Sequence, residues 1–311
     1  MVFAVIDLGT NTFNLLIAEK QADNTFKKLF KTKIPVKLGE GSINLGFISA
    51  IPFQRGIEAL QTYKGYLNKY KVQQTFAFAT SAIRSASNGR DFVEQAREHT
   101  AIDITIIDGS EEAELIYHGN KMAVKMDEKI SLIMDIGGGS TEFILANNNT
   151  IFWKESYLLG AARLLEKFRP SDPITSSEIN EFNDYLRQKL HTLFEAIRSF
   201  KPESLIGSSG AFDSIVDMIG EEFNTITLDE LLTEYPIELS KYIYVSNKIK
   251  KSTLKERREI KGLIDMRVDM IVISVLLVDF ILTELKLKNI RVSTFSLKEG
   301  VISQKLGLSL S

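Results

Sequence analysis

The chain has no cysteine among its 311 residues, which excludes disulfides, thiolate zinc sites and cysteine nucleophiles together. Histidine is almost as scarce. His99, His118 and His191 are the only three and lie far apart in sequence, so a histidine-rich metal centre is not expected. Neither charge is in excess: 38 Lys and Arg stand against 40 Asp and Glu, a net charge of −2, and no global basic field advertises a nucleic-acid partner. The longest apolar run, Met270–Leu282, contains Asp279 and is too short to span a bilayer; it reads as a buried core helix. The opening "MVFAVIDLGTNTF" lacks a charged leader and a cleavage pattern. These absences describe a cytoplasmic protein with no membrane and no nucleic-acid partner. What remains is ordinary globular material, 44% hydrophobic and 25% charged. Its length favours two domains that bury a sizeable core without covalent staples.

Glycine is spent in particular places. "SLIMDIGGGSTEFILAN", Ser131–Asn147, reads as two apolar strands, Ser131–Ile136 and Glu142–Ala146, around Gly137, Gly138 and Gly139, then Ser140 and Thr141. The amino terminus says the same thing: an apolar strand ends in Asp7, then Gly9, Thr10, Asn11 and Thr12 lead into a second strand, Phe13–Ala18. After the first turn the pattern predicts a strand (Phe26–Val36), a helix (Phe53–Tyr70) with Ile57, Leu60, Tyr63, Leu67 and Tyr70 on one face, a strand (Thr75–Ala79), a helix (Gly89–His99), a strand (Ile102–Ile107) and a helix (Ser110–Asn120). After the second it predicts a strand (Ile151–Ser156) and helices over Gly160–Phe168 and Ser176–Phe200, the latter opened by a Thr175/Glu178 capping box. A short strand (Ser204–Ile206), the turn "GSSGAF", further helices, a strand (Ile290–Thr294) and a helix (Leu297–Leu306) follow. Strands alternating with helices imply an α/β fold with mostly parallel central strands. Saying it twice implies a duplicated fold with a cleft between the halves, where ligands usually sit.

A glycine turn lets backbone N–H groups approach an anion, and Thr10, Thr12, Ser140 and Thr141 add hydroxyls. One such turn is equally well a plain hairpin; two matching turns, each after an acid, favour phosphate. Asp7, Asp135 and Glu142 would repel a phosphate unless Mg²⁺ stands between, or they merely cap turns. Glu111 and Glu112 open a helix after Gly109, where acids suit the macrodipole or supply a base for water. Arg84, at a strand-to-loop junction, is a surface ion pair or a bidentate phosphate clamp. Arg267, beside Asp269 at the mouth of the apolar helix, is a cap-region salt bridge or a second anion contact. The basic stretch Asn247–Lys261 is a solvated face or an attractor of polyanions.

Together these motifs resemble the exopolyphosphatase / guanosine pentaphosphate phosphatase family of the actin-like ATPase superfamily. The resemblance runs in order through "VIDLGTNTFNLLI", "ATSAIRSASN", "IDGSEEAELIYHG", "MDIGGGSTEFIL", "YLLGAARLLEKF", "IGSSGAF" and "IKGLIDMRVDMIV". It implies two actin-like (ribonuclease H-like) domains, each a mixed sheet flanked by helices: residues 1–122 with 296–311, and 123–295. It also implies release of the terminal phosphate of inorganic polyphosphate or of guanosine pentaphosphate. By the same resemblance Glu112 matches the general base, and Asp135 and Glu142 match acids at the magnesium and phosphate site. Arg84 and Arg267 match substrate-binding arginines, and Gly207, Ser208, Ser209 and Gly210 a glycine loop lining the cleft. Two positions depart from the family pattern: Glu114 stands where arginine is usual, and Ala211 where threonine is usual. A kinase or ATPase of the same superfamily, or a non-catalytic sensor of an alarmone or polyphosphate, are the rival readings. A chain of this length is expected to shorten long polyphosphate distributively, unless a homodimer rebuilds a longer channel.

Overall fold

The computed structural model describes residues 1–225, 227–229 and 232–310. In chain order the strands are β1 (Val2–Leu8), β2 (Thr12–Lys20), β3 (Thr25–Pro35), β4 (Gln74–Ala79), β5 (Ile104–Ile106), β6 (Ser131–Ile136), β7 (Thr141–Ala146), β8 (Ile151–Tyr157), β9 (Ser204–Ser208), β10 (Glu234–Ile237), β11 (Asn289–Ser293) and β12 (Ser309–Leu310). The helices are α1 (Ala50–Lys69), α2 (Ser81–Ser85), α3 (Gly89–Thr100), α4 (Gly109–Ala123), α5 (Ala161–Phe168), α6 (Ser176–Lys189), α7 (His191–Phe200), α8 (Gly210–Phe223), α9 (Leu239–Lys251), α10 (Leu254–Arg258), α11 (Ile271–Leu285) and α12 (Leu297–Leu306).

The strands form two six-stranded mixed sheets, β12-β3-β2-β1-β4-β5 and β10-β11-β9-β6-β7-β8. The internal repeat is visible in their pairing. β1 runs antiparallel to β2 and parallel to β4, as β6 runs antiparallel to β7 and parallel to β9. Every residue of β6 and β7 is buried, as expected of central strands covered on both faces. The apolar run predicted as a core helix is α11, in which Ile271 to Val278 are all buried against the second sheet.

A separate cluster joins the halves. Phe3 and Val5 of the first sheet, and Ile133 and Ile144 of the second, share a core with α4 and α12. These two helices meet so closely that glycine is required at the crossing. A Cβ on Gly119 would lie 2.0 Å from the Ser296 carbonyl oxygen, and one on Gly300 would lie 1.7 Å from that of Leu115. The contact seats the start of α12 in the cleft.

Three expectations change. The helix predicted over Ser176–Phe200 is two, α6 and α7, broken at Leu190 (φ −100°, ψ 23°). The break keeps Phe182 and Leu186 before it, and Leu193 after it, in the same core; the Thr175/Glu178 capping box is present as expected. The short elements α2, β10 and β12 escaped a reading based on periodicity, which needs longer segments. The basic stretch Asn247–Lys261 spends much of its charge internally: Lys248 pairs with Glu222, Lys250 with Asp279 and buried Arg257 with Asp172.

Candidate active site

The second glycine turn is held from behind. The carbonyl of Gly137 accepts from Ala161 N–H at 2.9 Å, and that of Gly138 from Ala162 and Arg163 N–H at 2.9 and 3.1 Å, all at the start of α5. The Gly139 carbonyl accepts from Arg163 Nε at 3.0 Å. In a trans peptide N–H and C=O point in opposite directions, so the N–H groups of Gly138, Gly139 and Ser140 are turned to the cleft side. α5 approaches so tightly that a Cβ on Gly160 would lie 2.4 Å from the Gly138–Gly139 peptide. Buried Arg163 also donates to the Ile43 carbonyl at 2.9 Å and to Ser85 Oγ at 3.2 Å. It therefore ties the second turn to the first half.

The two turns face each other. A Cβ on Gly138 would meet Asn11 Nδ2 at 2.6 Å, and one on Gly139 would meet Thr10 Oγ1 at 2.5 Å and Ser81 Oγ at 2.7 Å. Between them lies a cavity of about 100 Å³ whose lining includes Asp7, Glu112, Asp135, Glu142, both turns and Arg267. Its volume is that of a few waters, which suits a phosphoryl group. Ser81 Oγ, on its wall, is buried with no hydrogen-bond partner, an unmet polar group of the kind a bound oxyanion satisfies.

Three buried carboxyls and a fourth, half-buried one, Asp7, converge here. Asp135 accepts from Ser296 Oγ at 2.6 Å, Asp7 from Asn14 Nδ2 at 3.0 Å, Glu142 from Ser156 Oγ at 2.7 Å, and Glu112 from Arg84 Nη1 at 2.7 Å. Asp135 and Glu142 are directly opposite in the β6–β7 register, an unfavourable cross-strand pair when both are charged. Burial is the main cause that raises every one of them. Asp7 is pushed up to about 6 and Glu112 to about 7, the latter with Arg84 opposing. Asp135 is raised as well, and Glu142 is raised well above the usual range by burial and then by Glu112 and Asp135. Glu111 turns away from the cavity and faces Lys305. The Asp108 carboxylate caps α4 by accepting from Ser110 and Glu111 N–H at 2.8 Å each, which fixes the helix that carries Glu112.

Asp7, Gly9, Thr10, Asn11, Thr12, Gly137, Gly138, Gly139, Ser140, Ser209 and Arg267 all line the cavity. Others lie behind it. Thr141 donates its hydroxyl to the Leu159 carbonyl at 2.9 Å. Gly207 makes room for the Phe212 ring, 2.1 Å from where its Cβ would be, and Gly210 for the Arg267 guanidinium. Ser208 is fully buried and donates to the Phe295 carbonyl. Arg84 sits behind Glu112, shared between its carboxylate and the Ile107 carbonyl. Glu114 pairs with Lys154 at 2.5 Å, outside the cavity. The sequence reading did not single out Asn14, Thr80 and Ser296 as wall residues. Asn14 was within reach, since it follows Asp7 at the spacing by which Glu142 follows Asp135; Ser296 had no local signal, because only the return of α12 brings it there.

No cluster of three acid or histidine side chains that could hold a metal occurs among the described residues. Asp135 and Glu142 nevertheless fit a hard divalent cation. They offer oxygen only, they face each other across the strand pair, and their buried charge calls for a cation. Magnesium typically takes one or two carboxylates and fills its shell with water and phosphate.

Two duplicated sheets closing on an acidic, glycine-lined cleft define the actin-like fold class. Residues 16–309 match the Ppx/GppA phosphatase family, and the chain belongs to it. It is similar to the crystal structure of an exopolyphosphatase from Cytophaga hutchinsonii, at 37% identity and a TM-score of 0.96 over 99% of both chains. Among curated proteins it is 33% identical to a bifunctional 3-dehydroquinate synthase/phosphatase of Fusobacterium nucleatum over 86% of this chain, which spans 41% of that longer protein. It is 26% identical to a putative exopolyphosphatase of Haemophilus influenzae over 96% of this chain and 90% of that one. No helix among the described residues is long and apolar enough to cross a membrane.

Proposed function

We propose that the protein is a phosphohydrolase that releases the terminal phosphoryl group of inorganic polyphosphate, of guanosine pentaphosphate, or of both. The observation that carries this reading is the placement of Glu112. A carboxyl buried on the cavity wall and raised to about 7 by that burial is a base matched to neutral pH, and it faces the two turns suited to hold a phosphoryl group.

The N–H groups of Gly138, Gly139 and Ser140, with Ser81 Oγ and Thr10 Oγ1, receive the non-bridging oxygens of the terminal phosphoryl group. Arg267 balances charge on the next bridging oxygen. Glu112 accepts a proton from water as the water oxygen bonds to phosphorus; the bridging P–O bond breaks and the shortened chain leaves with the electron pair. Arg84 holds the Glu112 carboxylate in place. Asp135 and Glu142 would hold magnesium, which supplies charge neutralisation and Lewis acidity at the phosphoryl oxygens. Positioning and electrostatics account for most of the catalysis in such transfers.

The decisive assay is phosphate release from polyphosphate, guanosine pentaphosphate and ATP, each with Mg²⁺ or with chelator. Release from either of the first two, dependent on the cation and faster than from ATP, supports the reading. Turnover of ATP alone, or tight binding with no release, overturns it.

A further inference from the structure

The cavity between the turns is small and lined for the reacting phosphoryl group, and the rest of a polyphosphorylated substrate extends beyond it. A second cavity, of about 470 Å³, adjoins it. Asn14 lines both, and the guanidinium of Arg267, from the first, lies against Gly210, from the second. Lys31, Lys33 and Lys298 line the second cavity. None of these lysines makes a side-chain hydrogen bond or ion pair, and neither does the Arg267 guanidinium, among the described residues.

The strand register fixes where this cluster lies. Asp7 pairs with Asn14 across β1–β2, and Asn14 with Lys33 across β2–β3. Directly opposed residues project from the same face of a sheet, at about 4.8 Å per strand. Lys33 is therefore about 10 Å from Asp7 on the face that Asp7 presents to the reaction centre. Lys31, two residues along β3, shares that face about 7 Å further on. Lys298 enters from α12, beside Leu297 of the catalytic cavity wall. Three acids line the second cavity as well: Glu299 accepts from Ser296 N–H at 3.1 Å and stands beside Lys298, and Asp217 accepts from Leu228 N–H at 2.9 Å. The Asp213 carboxylate alone has no hydrogen bond among the described residues, and it faces Arg267, Lys33 and Lys298. Four cations, none of them in an ion pair among the described residues, thus converge beside three acids, a grouping from separate elements that the sequence, with net charge −2, does not advertise.

We infer that this second cavity is a binding site for the phosphate groups of the substrate remote from the scissile bond, with Lys31, Lys33 and Lys298 as its contacts and Arg267 at its junction with the reaction centre. The inference rests on the phosphohydrolase reading and adds the path by which the chain leaves the reaction centre, over β3 and α8. It also moves polyanion recognition away from the basic stretch Asn247–Lys261. Remote phosphates bound equally in ground and transition states lower KM without raising kcat, so chain-length dependence is the signature of the site.

The test compares wild type with Lys31→Ala/Lys33→Ala, and with a control, Lys251→Ala/Lys255→Ala, that removes the same charge from the exposed basic stretch. Substrates are tripolyphosphate, a long polyphosphate and guanosine pentaphosphate. The expected result is a KM for long polyphosphate about tenfold higher in the first variant, a smaller change for tripolyphosphate, kcat within about twofold, and no change in the control. A parallel rise for guanosine pentaphosphate assigns the site to remote phosphates of either origin; a rise for long polyphosphate alone assigns it to the inorganic chain. Equal KM effects at every chain length, none at all, or a larger effect in the control overturn the inference while wild-type turnover keeps the phosphohydrolase reading. To keep the two separable, binding of long polyphosphate is also measured by titration calorimetry in the Glu112→Gln background. There an affinity loss of about tenfold on adding the two lysine substitutions supports the site without turnover, and unchanged affinity counts against it.

Discussion

Glu112→Gln separates catalysis from stability. The substitution keeps the side chain's size and its capacity to accept from Arg84, and removes its charge and basicity. The carboxyl is raised from 4.5 to about 7, chiefly by burial, with Asp7 and Asp135 adding to the rise and Arg84 opposing it. A tenfold change in proton affinity is worth about 1.4 kcal/mol. Ionising Glu112 therefore costs roughly 3 kcal/mol more in the folded protein than in the unfolded chain. Because the folded-state pKa is the higher one, the native state binds the proton more tightly. The resulting stabilisation is full below the unfolded value and is lost as pH rises through about 7. Glutamine escapes that loss. At pH 8 the metal-free variant should be the more stable by up to ~3 kcal/mol, a rise in Tm on the order of 5 °C. At pH 5, where wild type is already mostly protonated, the gap should shrink below about 1 kcal/mol. Turnover should meanwhile fall by roughly 10²–10⁴-fold. Thermal unfolding with chelator at pH 5 and pH 8, beside a phosphate-release assay, measures both. A variant that melts below wild type at pH 8, or shifts equally at the two pH values, refutes the electrostatic argument. One that keeps most of its activity refutes the assignment of the base.

Asp135→Asn is expected to raise the Mg²⁺ concentration needed for half-maximal phosphate release and to lower the rate; an unchanged magnesium titration would make the acid structural only. Arg163→Lys should leave the fold intact but lose the fork that joins Gly139, Ile43 and Ser85. Its kcat should drop about tenfold or more, and wild-type kinetics in that variant would show that the tie is dispensable. If residues 1–122 with 296–311 move against 123–295 about 121–127 and 293–296, a phosphate analogue should compact the protein in solution scattering; identical profiles with and without it argue for a fixed cleft. On a gel, limiting enzyme should shorten long polyphosphate gradually, and intact chains beside fully degraded product would contradict distributive action.

What the sequence made legible follows from range. β6, the turn after it and α12 could be read with the bounds they have, because apolar runs, glycine clusters and helical periodicity act over a few residues. Much of the cavity's composition was legible for the same reason: most wall residues lie in a local motif, and the repeat implied that two motifs would meet. What could not be read depends on which segments become neighbours. Ser296 reaches Asp135 because Gly119 and Gly300 let α12 settle on α4. Arg163 had no separate reading within the helix expected over Gly160–Phe168, yet it is the buried tie between halves. The basic stretch drew notice because its charges are contiguous, while the cations around the second cavity come from β3 and α12 and become a cluster only in the fold.

The duplication also explains why the acids are distributed unequally. Both halves place an aspartate at the end of the first strand and a partner opposite it on the second, Asp7 with Asn14 and Asp135 with Glu142. In the first half the partner is an amide, which donates to the aspartate and leaves a single charge. In the second it is another carboxyl, and the pair is unstable as two anions unless a cation joins them. The same backbone motif thus gives one side suited to hydrogen-bonding and one suited to metal. The proposed base, Glu112, comes from α4 of the first half, so the proposed cation site and base stand on opposite walls of the cleft. An arrangement of that kind works only when the two turns are held together, and Arg163, which joins Gly139 to Ile43 and Ser85, is a tie between them.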